Sequence, residues 1–187
     1  HRKLEFLGDF DLFRRTPQLE ADARRYRATF DLLLGESLAL ARKERNLVNV
    51  ADALRDLGRV RWQRGDLARG TALVDESLAV CRETRDRCGE GLSLYELGCI
   101  AATRGDSAQA EALLAQALPL LHEAGDRRTL AAALETTARL ARSRQPRAAT
   151  RLLGAAAALR DAIGAPVRRS ERSEHDQTVA ATRSALG

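Results

Sequence analysis

Apolar residues recur along this chain at helical spacing, in segments of similar length. Between Leu47 and Gln63, the positions Val50, Ala53, Leu54, Leu57, Val60 and Arg61 follow the 3, 4, 7 spacing of one helix face. Arg64-Gly65-Asp66 then interrupts it: glycine suits a helix C-terminus, and Asp66 is placed to cap the next helix. That second helix is predicted over Leu67–Thr84, with Leu67, Leu73, Val74, Leu78 and Cys81 facing inward. The pattern predicts further helices over Gly91–Thr103, Ser107–Glu123, Arg128–Ser143 and Pro146–Ile163, and a long one upstream over Gln18–Arg45.

These segments are copies of one unit. Gly35-Glu36-Ser37-Leu38-Ala39-Leu40 returns 40 residues later as Asp75-Glu76-Ser77-Leu78-Ala79-Val80. Leu57-Gly58 returns as Leu97-Gly98, and Arg64-Gly65-Asp66 as Arg104-Gly105-Asp106, at the same shift. A third copy is degraded: Thr137-Ala138-Arg139-Leu140 stands at the Leu-Gly position, Gln145-Pro146 replaces the Gly-Asp turn, and one residue is lost. Helix pairs of fixed length that cannot bury their own apolar face must stack. The expected fold is all-α, a right-handed α-solenoid with a period of about 40 residues and a concave side lined by the first helices. Its organisation is a partial repeat over 1–46, repeats over 47–166, and a capping helix over 167–187.

The landmarks resemble the tetratricopeptide repeat, whose motif places Leu-Gly in the first helix, Gly-Asp at the turn and two small residues in the second helix. Leu57-Gly58, Gly65-Asp66, Gly70 and Ser77 fall in that order, as do Leu97-Gly98, Gly105-Asp106, Ala110 and Ala117. The longer period is similar to a variant found in bacterial signalling regulators. Pro146-Arg147-Ala148-Ala149-Thr150-Arg151-Leu152-Leu153-Gly154-Ala155-Ala156, the stretch Leu159 to Pro166, and Ser173 to Gly187 resemble the closing repeat and final helix of large actinobacterial LuxR-type ATPase regulators. That resemblance implies an ATPase module upstream, a helix-turn-helix elsewhere, and a cut at Gly187. It implies a cytoplasmic module that binds a partner protein, a peptide or a small effector, with self-association along the solenoid as a further outcome.

Composition sharpens this reading. Within 187 residues and 20.5 kDa, Ala supplies 34 positions and Leu 30, while aromatics make up 4%. That composition suits packed helices better than sheets. No apolar run approaches the roughly 18–20 residues of a membrane span, and the His1-Arg2-Lys3-Leu4-Glu5 start lacks a signal peptide's apolar core. With no Met present, the chain is expected to be a fragment or processed segment of something longer. Cys81, Cys88 and Cys99 have no CxxC spacing and read as reduced, half-buried fillers.

Charge and chemistry add little. The formal net charge is +5, with 29 arginines against Lys3 and Lys43. Nucleic-acid binding through this arginine surface is the alternative function. Against it, the arginines are scattered among 26 acidic residues with no basic stripe interleaved with aromatics. No phosphate loop is present, no cofactor or metal is implied for this segment, and no catalytic constellation stands out, so a non-enzyme is expected. His1, His122 and His175 lie far apart. Glu76 and Glu111 read as surface carboxylates with arginine partners three or four positions away, and Arg24-Arg25, Arg127-Arg128 and Arg168-Arg169 as solvated edges.

The solenoid register projects Arg55, Arg59 and Trp62 into the concave groove from one repeat. Tyr95 and Cys99 come from the next, and Arg139 and Arg142 from the last. Guanidinium forks beside aromatics suit an acidic peptide or anionic ligand. The polar spots Arg55, Arg59 and Glu96, with no Asn, depart from the carboxylate clamp of the family's heat-shock co-chaperones.

Overall fold

The computed structural model describes residues 29, 32–167 and 169–184. Residues 18–28 of the expected upstream helix, His1, Arg24-Arg25, Arg168 and Gly187 lie outside them.

One aspartate position organises the helices. Asp66, Asp86, Asp106 and Asp126 each accept a side-chain hydrogen bond from the backbone N–H three residues on, at 3.0–3.1 Å, and Asn46 does the same. Each Asp also donates its own N–H back to the helix it follows, as Asp66 N does to Arg61 O at 3.1 Å and Asp86 N to Cys81 O at 2.8 Å. A single residue therefore closes one helix and opens the next. The preceding position is left-handed throughout: Gly65 (φ 93°), Gly105 (φ 82°) and Gly125 (φ 71°), but also Arg45 (φ 55°) and Arg85 (φ 58°).

The resulting helices are α1 (32–43), α2 (Leu47–Gln63), α3 (Leu67–Thr84), α4 (Arg87–Thr103), α5 (Ser107–Glu123), α6 (Arg127–Ala141), α7 (Pro146–Ile163) and α8 (Arg169–Ser184). They pack with chain neighbours: α2 with α3, α4 with α5 and α6 with α7 as tight pairs, more lightly from pair to pair. No strand occurs among the described residues. This is the expected α-solenoid.

Two details differ from expectation. The α4 helix starts at Arg87 rather than Gly91, because the Asp86 cap carries it through Gly89 and Gly91. Those glycines weaken helix propensity but lie buried at close crossings: a Cβ on Gly91 would stand 2.8 Å from Leu120 Cβ. The α6 helix ends at Ala141 rather than Ser143, and after it Gln145 makes no side-chain cap; Pro146 opens α7 instead.

Burial follows the pairing. The central cluster joins Val74, Leu78, Leu94, Leu97, Ile100, Leu114, Leu120, Leu121 and Leu130, while Leu38, Val50, Leu54 and Leu57 form a second cluster towards the N-terminus. A third, at α6–α8, contains Ala138, Ala149 and Leu153. Within pairs, small residues set the approach: a Cβ on Gly70 would meet Trp62 Cβ at 2.7 Å and Trp62 N at 2.9 Å. Ala110 fills that register in the next repeat and is fully buried.

Two substitutions should have opposite outcomes, both measured by urea unfolding. Gly70→Ala should destabilise the chain by about 1–3 kcal/mol, since the clash is with backbone. Arg85→Gly should stabilise it by about 0.5–1 kcal/mol, by relieving a left-handed non-glycine residue.

Candidate functional site

The first helices α2, α4 and α6 present one row of side chains in 40-residue register. Arg55, Tyr95 and Glu135 are equivalent, as are Asp56, Glu96 and Thr136, and Arg59, Cys99 and Arg139. His175 on α8 approaches the end of the first of these sets, its Nδ1 3.6 Å from Glu135.

Glu96 is its centre. Its side chain is 7% exposed and accepts a hydrogen bond from Trp62 Nε1 at 2.9 Å, while Arg59 Nη1 stands 3.7 Å from its other oxygen. Burial pushes its carboxyl up, and Arg59 and the Trp62 bond pull against that rise. Arg59 is also anchored on its own helix by Asp56 at 2.7 Å. Indole, guanidinium and carboxylate from two adjacent repeats are thus locked together.

The remaining projected residues behave differently from one another. Arg55 is buried, with 10% side-chain exposure, and pairs with Asp52 at 2.6 Å while its Nη1 makes no hydrogen bond. Burial pulls its pKa down, but Asp52 and Asp56 outweigh that, and the net direction is up. Cys99 is buried and its thiol is pushed up to about 12, first by burial and then by Glu96; Tyr95 and Thr136 hydrogen-bond to it, and Arg139 acts on it electrostatically. Such a thiol is inert. Arg139 and Arg142 lie half-buried towards the end of α6. The structure therefore brings Arg59, Trp62 and Glu96 into direct contact, and Tyr95 and Cys99 into a second cluster. Arg55 sits beneath the surface, already neutralised by its own helix.

Several residues join the row that sequence reasoning missed. Arg160 of α7 grips Glu135 with both ends of its fork, at 2.6 and 2.7 Å, and His175 Nδ1 lies 3.6 Å from the same carboxylate. The surface glutamates also differ from expectation: Glu76 pairs with Arg42 at 2.6 Å and Glu111 with Arg144 at 2.9 Å, both from neighbouring repeats. Four of these contacts share nearly one separation: Trp62–Glu96 and Arg42–Glu76 at 34 residues, Arg104–Thr71 and Arg144–Glu111 at 33. That is one repeat less about two helical turns, and scanning for charge complements at that offset would have found the two ion pairs, Arg42–Glu76 and Arg144–Glu111. The three cysteines are free, with Cys81 and Cys99 buried and Cys88 exposed rather than half-buried.

With this geometry in hand, comparison with known families is decisive for the repeat. Residues 49–123, which span α2 to α5, match the family model of the tetratricopeptide repeat. The chain carries a tetratricopeptide-repeat region. No curated protein matches the chain. Tetratricopeptide repeats generally mediate contacts between proteins, and their stacked first helices supply an extended concave surface for it. Among the described residues, no helix is long and apolar enough to cross a membrane, and no cluster of His, Cys, Asp and Glu could hold a metal ion.

The Glu96 environment sets a pH signature. A carboxyl raised in the folded state contributes stability that is complete below its unfolded pKa and is lost as pH rises through the folded one. Wild type should therefore lose stability relative to Glu96→Gln as pH climbs above the ordinary carboxylate range of about 4.3. Chemical denaturation from about pH 4 to about pH 8 checks this; parallel profiles would refute it. Glu96→Ala should cost about 1–3 kcal/mol near pH 4, because it strands Trp62 Nε1, and less as pH rises.

Proposed function

We propose that this repeat region is the protein-interaction or effector-sensing module of a transcriptional regulator of the LuxR-type ATPase kind, working in the cytoplasm without catalysis of its own. The observation that carries it is the Trp62–Glu96–Arg59 lock. It ties two repeats together on the face where tetratricopeptide regions receive partners, and it leaves Arg59 40% exposed beside a half-buried indole. The resemblance of 146–187 to the closing repeat of such regulators supports the parent. A partner seated on this face would favour one packing of the repeats over another, shifting a population between two arrangements.

The arrangement of charge disfavours nucleic acid. Arg42, Arg59, Arg82, Arg87 and Arg144 stand within 4 Å of carboxylates, as do the buried Arg55 and Arg160, so at least seven of the 29 arginines are already compensated.

Arg139→Glu and Arg59→Glu test the groove against a partner recovered by cross-linking to the wild-type chain. Each should weaken its affinity about tenfold by calorimetry. Circular dichroism checks that the helices persist, and unchanged affinity would overturn the groove assignment. The coding sequence on either side tests the parent: a phosphate loop or a helix-turn-helix supports it, and neither would sink it.

A further inference from the structure

The first described helix carries an apolar face that the later repeats cover. On α1, Leu33 is 56% exposed and Leu40 55%, with Ser37 exposed between them. Leu33 stands in the register of Leu73 and Leu113, which are partly buried. Ser37 stands in the register of Ser77 and Ala117, which are fully buried, and Leu40 in that of Leu120, which is buried too. Leu34 is half-buried where Val74 and Leu114 are fully buried. The same positions are thus closed in α3 and α5 and open in α1.

Contacts show what closes them. Ser77 Oγ donates to Ala51 O of α2 at 2.7 Å, and a Cβ on Gly91 of α4 would stand 2.8 Å from Leu120 Cβ. These positions therefore face the first helix of their own pair. Among the described residues, α1 buries only its other side, where Leu38 and Ala41 join Val50, Leu54 and Leu57 of α2.

For α3 and α5, the covering helix is the one immediately upstream in the chain, and the sequence upstream of α1 offers a matching surface. Phe6, Phe10 and Phe13 are three of the chain's four phenylalanines. Their spacing puts them on one face of a helix, with Leu7 beside them. Shifted by 40, Phe10 and Phe13 fall on Val50 and Ala53, both buried in α2. Two departures separate the segment from a further copy of the repeat. Pro17 stands where Leu57 and Leu97 stand, and it ends a helix before that point. Asp11 stands where Ala51, Gly91 and Ala131 permit close approach, so the segment must sit further from α1, at a distance that phenylalanine spans and alanine does not.

We infer that residues 4–16 dock as a short amphipathic helix on the open face of α1, with Phe6, Phe10 and Phe13 over Leu33, Ser37 and Leu40, and so seal the N-terminal end of the solenoid. Residues 17–31, at up to about 3.3 Å each, reach far enough to bring the segment back along α1. Tethering favours it over a second copy, because a short linker holds it at roughly millimolar effective concentration. Covering the leucines removes apolar surface from water, as a terminal repeat requires. The docking uses no residue of the Trp62–Glu96–Arg59 lock and is independent of the function proposed for it.

Photochemical cross-linking of the full chain tests it, with Phe10→p-benzoylphenylalanine as the probe. Cross-links to α1 within one chain are expected, on the side of Leu33, Ser37 and Leu40. In the otherwise unmodified chain, Phe10→Ser with Phe13→Ser should speed amide exchange across α1 about tenfold and leave α4 and α5 unchanged, while Phe10→Leu should retain slow exchange. The assignment is overturned if the cross-links avoid α1, or if the double substitution leaves exchange in α1 as it was. Cross-links between chains, in a dimer that Leu40→Asp disperses on sedimentation, would overturn it in favour of a second copy on this face.

Discussion

Everything in this molecule depends on the aspartate that ends one helix and begins the next. Because Asp66, Asp86, Asp106 and Asp126 recur every 20 residues, helix lengths are nearly constant and each pair repeats the geometry of the last. Constant geometry lets Gly70 and Ala110 bring facing helices together at the same height in consecutive pairs. It also lets side chains one repeat apart find each other across the stack. Once the turn is fixed, the core, the inter-repeat ion pairs and the concave row are fixed with it.

Part of the charge in this chain is internal. At least seven of the 29 arginines reach carboxylates, some on their own helix, as Arg55 and Arg59 do, and some on a neighbouring repeat, as Arg42 and Arg144 do. A net charge of +5 therefore describes the chain poorly as a polycation. What distinguishes one place from another is where the pattern changes between repeats. Thr71 stands in the register of Glu111, and Glu96 is a buried carboxylate where the other repeats carry Asp56 and Thr136.

The architecture was legible in the sequence because its determinants are local. Leu-Gly, Gly-Asp and the apolar face each act within one or two turns of chain, and their recurrence at 40 residues made the stack unavoidable. Where local signals conflicted, the reading slipped: Gly89 and Gly91 look like helix breakers, yet the Asp86 cap and a close crossing with α5 place them inside α4. The candidate site was half legible. Register alone put Arg59, Trp62, Tyr95 and Cys99 on one face, but whether an arginine there is exposed or buried depends on the neighbouring repeat. Arg55 is covered and Arg59 is not, although both stand three positions from an aspartate partner. The Glu135–Arg160 grip was invisible, since it joins two helices of the degraded repeat at a separation that the inter-repeat pairs do not share.

That degraded repeat has a mechanical consequence. In a stack where each unit touches only its neighbours, the chain is held together like a row of springs, each as stiff as its own interface. The middle is stiff, bound by leucines and isoleucine. At α6–α8 the buried apolar cluster shrinks to Ala138, Ala149 and Leu153, the aspartate cap is gone at Gln145, and the Arg160–Glu135 ion pair is buried beside it. Pulled from its ends, the solenoid would yield at that end, between α7 and α8, before its centre moved.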